Sequence, residues 1–114
     1  MSKGAEIFMD KPLGPVELGG DVRLSGFNDL DPGEKDEAIQ IISKHERRLK
    51  EICIELDRIK ITLKKIRHKE KSEMYELHAS VKDKHGHYEA HAVGRRFLVA
   101  LADVLTKVEN EISK

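Results

Sequence analysis

Two alternating runs, YELHASVKD (residues 75–83) and YEAHAVG (residues 88–94), flank a short turn and lead directly into an amphipathic helical segment. Alternation of apolar and polar residues marks half-buried strands, and a hairpin that feeds a helix has an apolar face for that helix to cover. Few small folds satisfy this ending. With His85-Gly86 as a two-residue turn, Val81 faces Ala90 and Ala79 faces Ala92 on the inner side. Lys82 then faces Glu89 and Ser80 faces His91 on the outer side. A one-residue slip would set inner side chains against outer ones, so parity supports this pairing. It also makes His78 and His91 diagonal neighbours, about 7–8 Å apart. The closing helix is expected from about Arg95 to Ser113, with Phe97, Leu98, Leu101, Leu105, Val108 and Ile112 as its apolar stripe.

Upstream, Ile59, Ile61 and Leu63 alternate with Arg58, Lys60, Thr62 and Lys64, which predicts a strand with an apolar inner face and a basic outer one. Residues 65–73 read as a charged loop. Before that strand, Ala38, Ile42, His45, Leu49 and Ile52 recur at steps of four and three, as a buried helical stripe requires. The start of this helix is marked by Asp31 as cap, Pro32 at the first helical position and Glu34 three residues after the cap. His45 lies on the stripe and is expected to pack with a satisfied ring nitrogen. Val22 and Leu24 alternate with Arg23 and Ser25, which predicts a short first strand over residues 21–27. Residues 1–20, with four glycines and two prolines, read as a flexible N-terminal extension. The expected architecture is therefore α+β, in the order β-α-β-β-β-α, with a four-stranded sheet and two helices on one face. Residues 21–114 form its single domain.

A chain of 114 residues is large enough for one modest core. Charged residues make up 37% and aromatic residues 4%, with no Trp, so that core must be built from Ile, Leu, Val and Ala. No apolar run approaches the roughly 18 residues that a membrane span needs, and the N-terminus lacks a signal-peptide pattern. The single Cys53 rules out an internal disulfide framework and fits a reducing cytoplasm. Formal net charge is zero, yet residues 1–37 carry −5, residues 38–96 carry +6 and residues 97–114 carry −1. The densest stretch, residues 57–71, holds seven basic groups against two acidic ones. Such a run is either a solvated face or the footprint of a polyanion binder.

The sequence shows no nucleophile elbow, phosphate loop or Cys–His pairing, so catalysis is not expected. The acidic group Asp29, Asp31, Glu34, Asp36 and Glu37 suits helix capping and the helix dipole. Six histidines raise the question of a metal site. Three or four ligands must converge for one, and Cys53 is expected on the far side of the sheet from His78 and His91, by the helices. Surface histidines that add pH-dependent charge are expected instead. No cofactor and no small-molecule substrate are expected.

VRLSGFN with DLDPGEKDEAI, the helix ISKHERRLKEI, the strand YELHASVKD and the ending EAHAVGRRFLVALADVLTKVENEISK occur in an order that resembles one family. It is the short ribosome hibernation promoting factors, which include ribosome-associated inhibitor A and the sigma-54 modulation proteins. The resemblance spans roughly residues 22–114. Gly94 falls on the family's glycine, Ala100 on the second alanine of its "YAAID" block, and Lys107, Val108 and Glu109 on its "KLE". Leu98, Ala102 and Arg96 replace the tyrosine, the aspartate and an acidic residue usual there, as in a diverged member. The resemblance implies a cytoplasmic stress-response factor that binds the small ribosomal subunit and its rRNA in the channel used by mRNA and tRNA. It also implies a short form without the dimerisation domain of longer members, so a monomer or weak dimer. On charge, the candidate RNA-binding residues are Arg47, Arg48, Arg58, Lys60, Lys64, Lys65, Arg67, Lys82, Lys84, Arg95 and Arg96. Two alternatives are a double-stranded RNA-binding domain acting on other structured RNA and a protein–protein adaptor whose charges serve solvation.

Overall fold

Helix α1, Pro32–Ile52, starts where its capping signals lie, with Asp31 Oδ1 accepting from the Glu34 N–H at 2.8 Å. The computed structural model describes residues 22–28, 30–67 and 73–114, except for the side chain of Arg67. The expected extension over residues 1–20 lies outside the described residues.

The remaining elements are β1 (Val22–Ser25), β2 (Arg58–Arg67), β3 (Glu73–Lys82), β4 (His87–Gly94) and α2 (Phe97–Ile112). They form one sheet in the order β1-β2-β3-β4. β1 runs parallel to β2, with Val22 against Ile59 and Leu24 against Ile61. Parallel neighbours need a crossover, and α1 supplies it. The other two pairings are antiparallel. The expected α+β order, β-α-β-β-β-α, is therefore the observed one.

Inward positions of β2, β3 and β4 build one core. Ile59, Ile61, Leu63, Leu77, Ala79, Val81 and Ala92 are buried beneath Ala38, Ile42 and Leu49 of α1 and Phe97, Ala100, Leu101, Val104, Leu105 and Val108 of α2. Burying a Leu, Ile or Val side chain contributes roughly 1.5–3 kcal/mol, so these aliphatic positions offset the shortage of aromatics. Three rings, Phe27, Tyr75 and Phe97, converge at one end of the core. Phe97 packs edge-on against Phe27, with centroids 5.8 Å apart, and lies 5.8 Å from Tyr75.

Gly26 makes the corner between β1 and α1. Its φ is +84°, and a Cβ there would sit 2.1 Å from the Leu63 carbonyl oxygen. Only glycine fits that corner.

His45 is packed and satisfied, as its place on the stripe predicts. Its ring Nδ1–H donates to Glu109 Oε2 at 2.5 Å, and both residues are buried between the helices. Arg48 Nη1 lies 3.6 Å from the other oxygen of Glu109. The neighbouring Glu46 is also buried, and its Oε2 has Lys50 Nζ at 3.5 Å without hydrogen-bond geometry.

Three local expectations are corrected. The hairpin register differs by two residues: Ala79 faces Ala90, Leu77 faces Ala92, Ser80 faces Glu89 and Lys82 faces His87. The turn is longer than the two residues His85-Gly86. Asp83 Oδ1 accepts from the N–H groups of His85 at 2.8 Å and Gly86 at 3.0 Å, while the Asp83 N–H donates to the Gly86 carbonyl. A shift of two preserves parity, so each inner residue stays inner. Second, the stretch read as a loop over residues 65–73 is shorter, because β2 continues to Arg67 and β3 begins at Glu73. Third, Ile52 ends α1 at 39% exposure rather than closing its buried stripe.

Candidate nucleic-acid interface

Both helices cover the inner face of the sheet, and the outer face carries Arg58, Lys60 and Lys64 of β2 and Lys82 of β3. Arg58, Lys60 and Lys64 alternate with the buried aliphatics of β2, and Lys82 follows buried Val81 on β3. All four are exposed. The ladder sets Arg58 beside Lys82, Lys60 beside Ser80, Thr62 beside His78 and Lys64 beside Glu76. Parallel pairing of β1 then places Arg23 next to Lys60 on the same face. Arg23 is absent from the candidates drawn from sequence. Its alternation with Val22 and Leu24 was the available signal, but its neighbour across the sheet was not readable from local pattern.

The other candidates fall in three places. At one end of the sheet, Lys65 pairs with Tyr75, which pairs with Gly94, and Arg95 and Arg96 follow at once. Arg67 pairs with Glu73 just beyond. Arg95 and Arg96 are exposed, and Arg96 caps α2 without a side-chain cap hydrogen bond. At the opposite end, Lys84 extends from the hairpin turn with its Nζ 3.8 Å from Glu55 Oε2. Arg47 and Arg48 are exposed on α1, in the helical layer, and Arg48 is engaged with Glu109. The candidates therefore make no single surface. Arg58, Lys60, Lys64 and Lys82, with Arg23, form a stripe, and Arg47 and Arg48 stand behind it.

Towards β4 the outer face changes character. His91 Nε2–H donates to Glu76 Oε2 at 2.9 Å, and His78 Nε2 lies 3.7 Å from the same oxygen. The hydrogen bond from His91, aided by the charges of His91, His78 and Lys64, outweighs partial desolvation and holds the Glu76 carboxyl below the usual range. His87 Nε2 shares a hydrogen bond with Ser80 Oγ at 2.7 Å and lies 3.5 Å from Glu89. The face is thus graded, from cationic on β1 and β2 to mixed imidazole and carboxylate on β4.

The hairpin end is held by Asp83. Its Oδ2 accepts from the Ile54 N–H at 3.2 Å, and the Lys84 N–H donates to the Ile54 carbonyl at 2.9 Å. Burial pushes the Asp83 carboxyl up, but the backbone donors of Ile54, His85 and Gly86 more than reverse this and leave it below the usual range. Cys53 is buried beside it. Desolvation, with the Asp83 carboxylate adding to it, pushes the thiol up to about 11, which suits a packed residue rather than a nucleophile.

With this geometry in view, the fold can be compared with known proteins. It is similar to that of a ribosomal subunit interface protein from Coxiella burnetii. The likeness covers 82% of this chain and 93% of that one, with a TM-score of 0.55 and 18% sequence identity. At that identity it bears on the fold. No protein-family model matches the sequence, and none of the curated proteins does. Among the described residues no helix is long and apolar enough to cross a membrane.

Proposed function

We propose that this chain is a ribosome-associated binding protein that uses the outer face of its sheet to contact rRNA of the small subunit. The observation that carries this reading is the stripe of Arg58, Lys60, Lys64 and Lys82, exposed on the sheet face opposite both helices. Folded rRNA is a dense array of phosphates recognised by shape and charge, and a rigid sheet holds cations at fixed spacing for it. Two further lines support it. The sequence blocks resemble the short hibernation promoting factors, and a structure of similar fold is named a ribosomal subunit interface protein. Occupancy of the mRNA and tRNA channel, storage or inhibition of idle ribosomes, and a cytoplasmic location follow from that resemblance as parts of the proposal. The role is binding, not catalysis.

The parallel strand β1 favours this reading over a double-stranded RNA-binding domain, whose core is helix, three strands and helix. Here a fourth strand extends the sheet and adds Arg23 to the basic face.

Sucrose-gradient sedimentation of a lysate tests the proposal. At low salt the protein should travel with the small subunit and whole ribosomes, and high salt should release it, because phosphate contacts weaken as counterions compete. Absence from those fractions at low salt overturns the proposal. Capture by a non-ribosomal protein with no salt dependence favours an adaptor.

A further inference from the structure

The observed hairpin register places His78 directly opposite His91, not diagonal to it. Their ring centroids are 4.6 Å apart and inclined at 45°. Glu76 lies two residues before His78 on the same strand and face, and its carboxylate reaches both rings. One donor atom from each of Glu76, His78 and His91 lies within 4.8 Å of the others. We propose that these three residues form a binding site for a divalent transition-metal ion of the zinc class.

The chemistry favours that class. Two imidazole nitrogens and one carboxylate oxygen suit Zn2+, Ni2+ and Cu2+, whereas Mg2+ and Ca2+ prefer oxygen donors throughout. A tetrahedral zinc ion with ligands at about 2.0–2.1 Å needs donors about 3.4 Å apart. The pairs at 2.9 and 3.7 Å straddle that spacing, and the two histidine donors lie within 4.8 Å of each other. The three backbones are fixed by a ladder of adjacent strands, so only side-chain freedom is lost on binding. The ion takes the place of the hydrogen bond from His91 to Glu76: with the neutral ring proton on Nδ1, Nε2 of each histidine presents its lone pair, and water completes the coordination. Side-chain exposures of 58% and 50% for the two histidines leave an entry path for the ion. Lys64, across the ladder from Glu76, competes with a cation for the carboxylate. Charge alone therefore does not fill the site, and direct bonding to imidazole must.

This inference stands apart from the ribosome reading, and its test needs no ribosomes. Untagged full-length protein is titrated with ZnCl2 in a calorimeter, and separately with MgCl2. One zinc ion per chain should bind with micromolar affinity, and magnesium should not bind. His78→Ala and His91→Ala should each weaken zinc binding at least about tenfold, the lower range seen even for lost partners of metal ligands. Glu76→Gln should weaken it in the same direction. His85→Ala and His87→Ala, changes at or beside the turn, should leave it unchanged. Circular dichroism of each variant verifies folding, which exposed positions should preserve. Absence of saturable zinc binding in the wild-type protein overturns the proposal. So does binding that survives His78→Ala with His91→Ala, or that is lost equally in the His85 and His87 variants.

Discussion

At the scale of single residues, two positions decide whether the sheet keeps its shape. Gly26 combines a φ of +84° with a virtual Cβ 2.1 Å from the Leu63 carbonyl oxygen. Gly26→Ala therefore adds both backbone strain and a clash with main chain, and is expected to cost on the order of 2 kcal/mol or more in urea unfolding. Asp83 acts through hydrogen bonds to three backbone N–H groups in two separate loops. Because its folded carboxyl titrates below the ordinary value, its stabilisation is present above about pH 4 and is lost as pH falls through the lower folded value. Unfolding midpoints measured from pH 7 to pH 2 should show Asp83→Asn to be less stable than wild type at neutrality. The gap should narrow as pH falls. A constant gap would remove the ionised carboxylate from the account.

At the scale of elements, the clearest test lies between the helices. His45 and Glu109 are buried partners that join α1 to α2. A double-mutant cycle of His45→Ala and Glu109→Ala should return a coupling of about 1–3 kcal/mol. Additive losses would reduce the pair to two packed side chains. The helices were legible because capping residues and apolar spacing are local signals: Asp31, Pro32 and the stripe from Ala38 to Leu49 all read correctly. The strands were legible in parity for the same reason. The hairpin register was not, because the loop is set by the Asp83 carboxylate and by its link to Ile54, a residue 29 positions away. Missing that turn also hid the facing pair of His78 and His91. For the candidate interface, the outer basic residues of β2 and β3 follow from alternation. The neighbour relation of Arg23 and Lys60 follows from parallel pairing across a helix, which local pattern does not encode.

At the scale of the molecule, the sheet separates two cationic regions that a sequence list merges. Arg58, Lys60, Lys64 and Lys82 face away from the helices, while Lys44, Arg47 and Arg48 lie on α1. A chain with zero formal net charge can thus present a cationic face, since charge is uneven along the sequence, −5 over residues 1–37 and +6 over residues 38–96. The most direct test of the account is the affinity of the purified protein for isolated small ribosomal subunits, measured across a salt series. Two variants with equal charge change are compared, Lys60→Glu with Lys64→Glu on the sheet and Lys44→Glu with Arg47→Glu on α1. The sheet variant should bind more weakly and lose about 1 from the salt slope for each phosphate contact removed, while the helix variant should follow the wild type. Wild-type affinity in the sheet variant, or an equal loss in both, would contradict the claim that the outer face of the sheet is the binding surface.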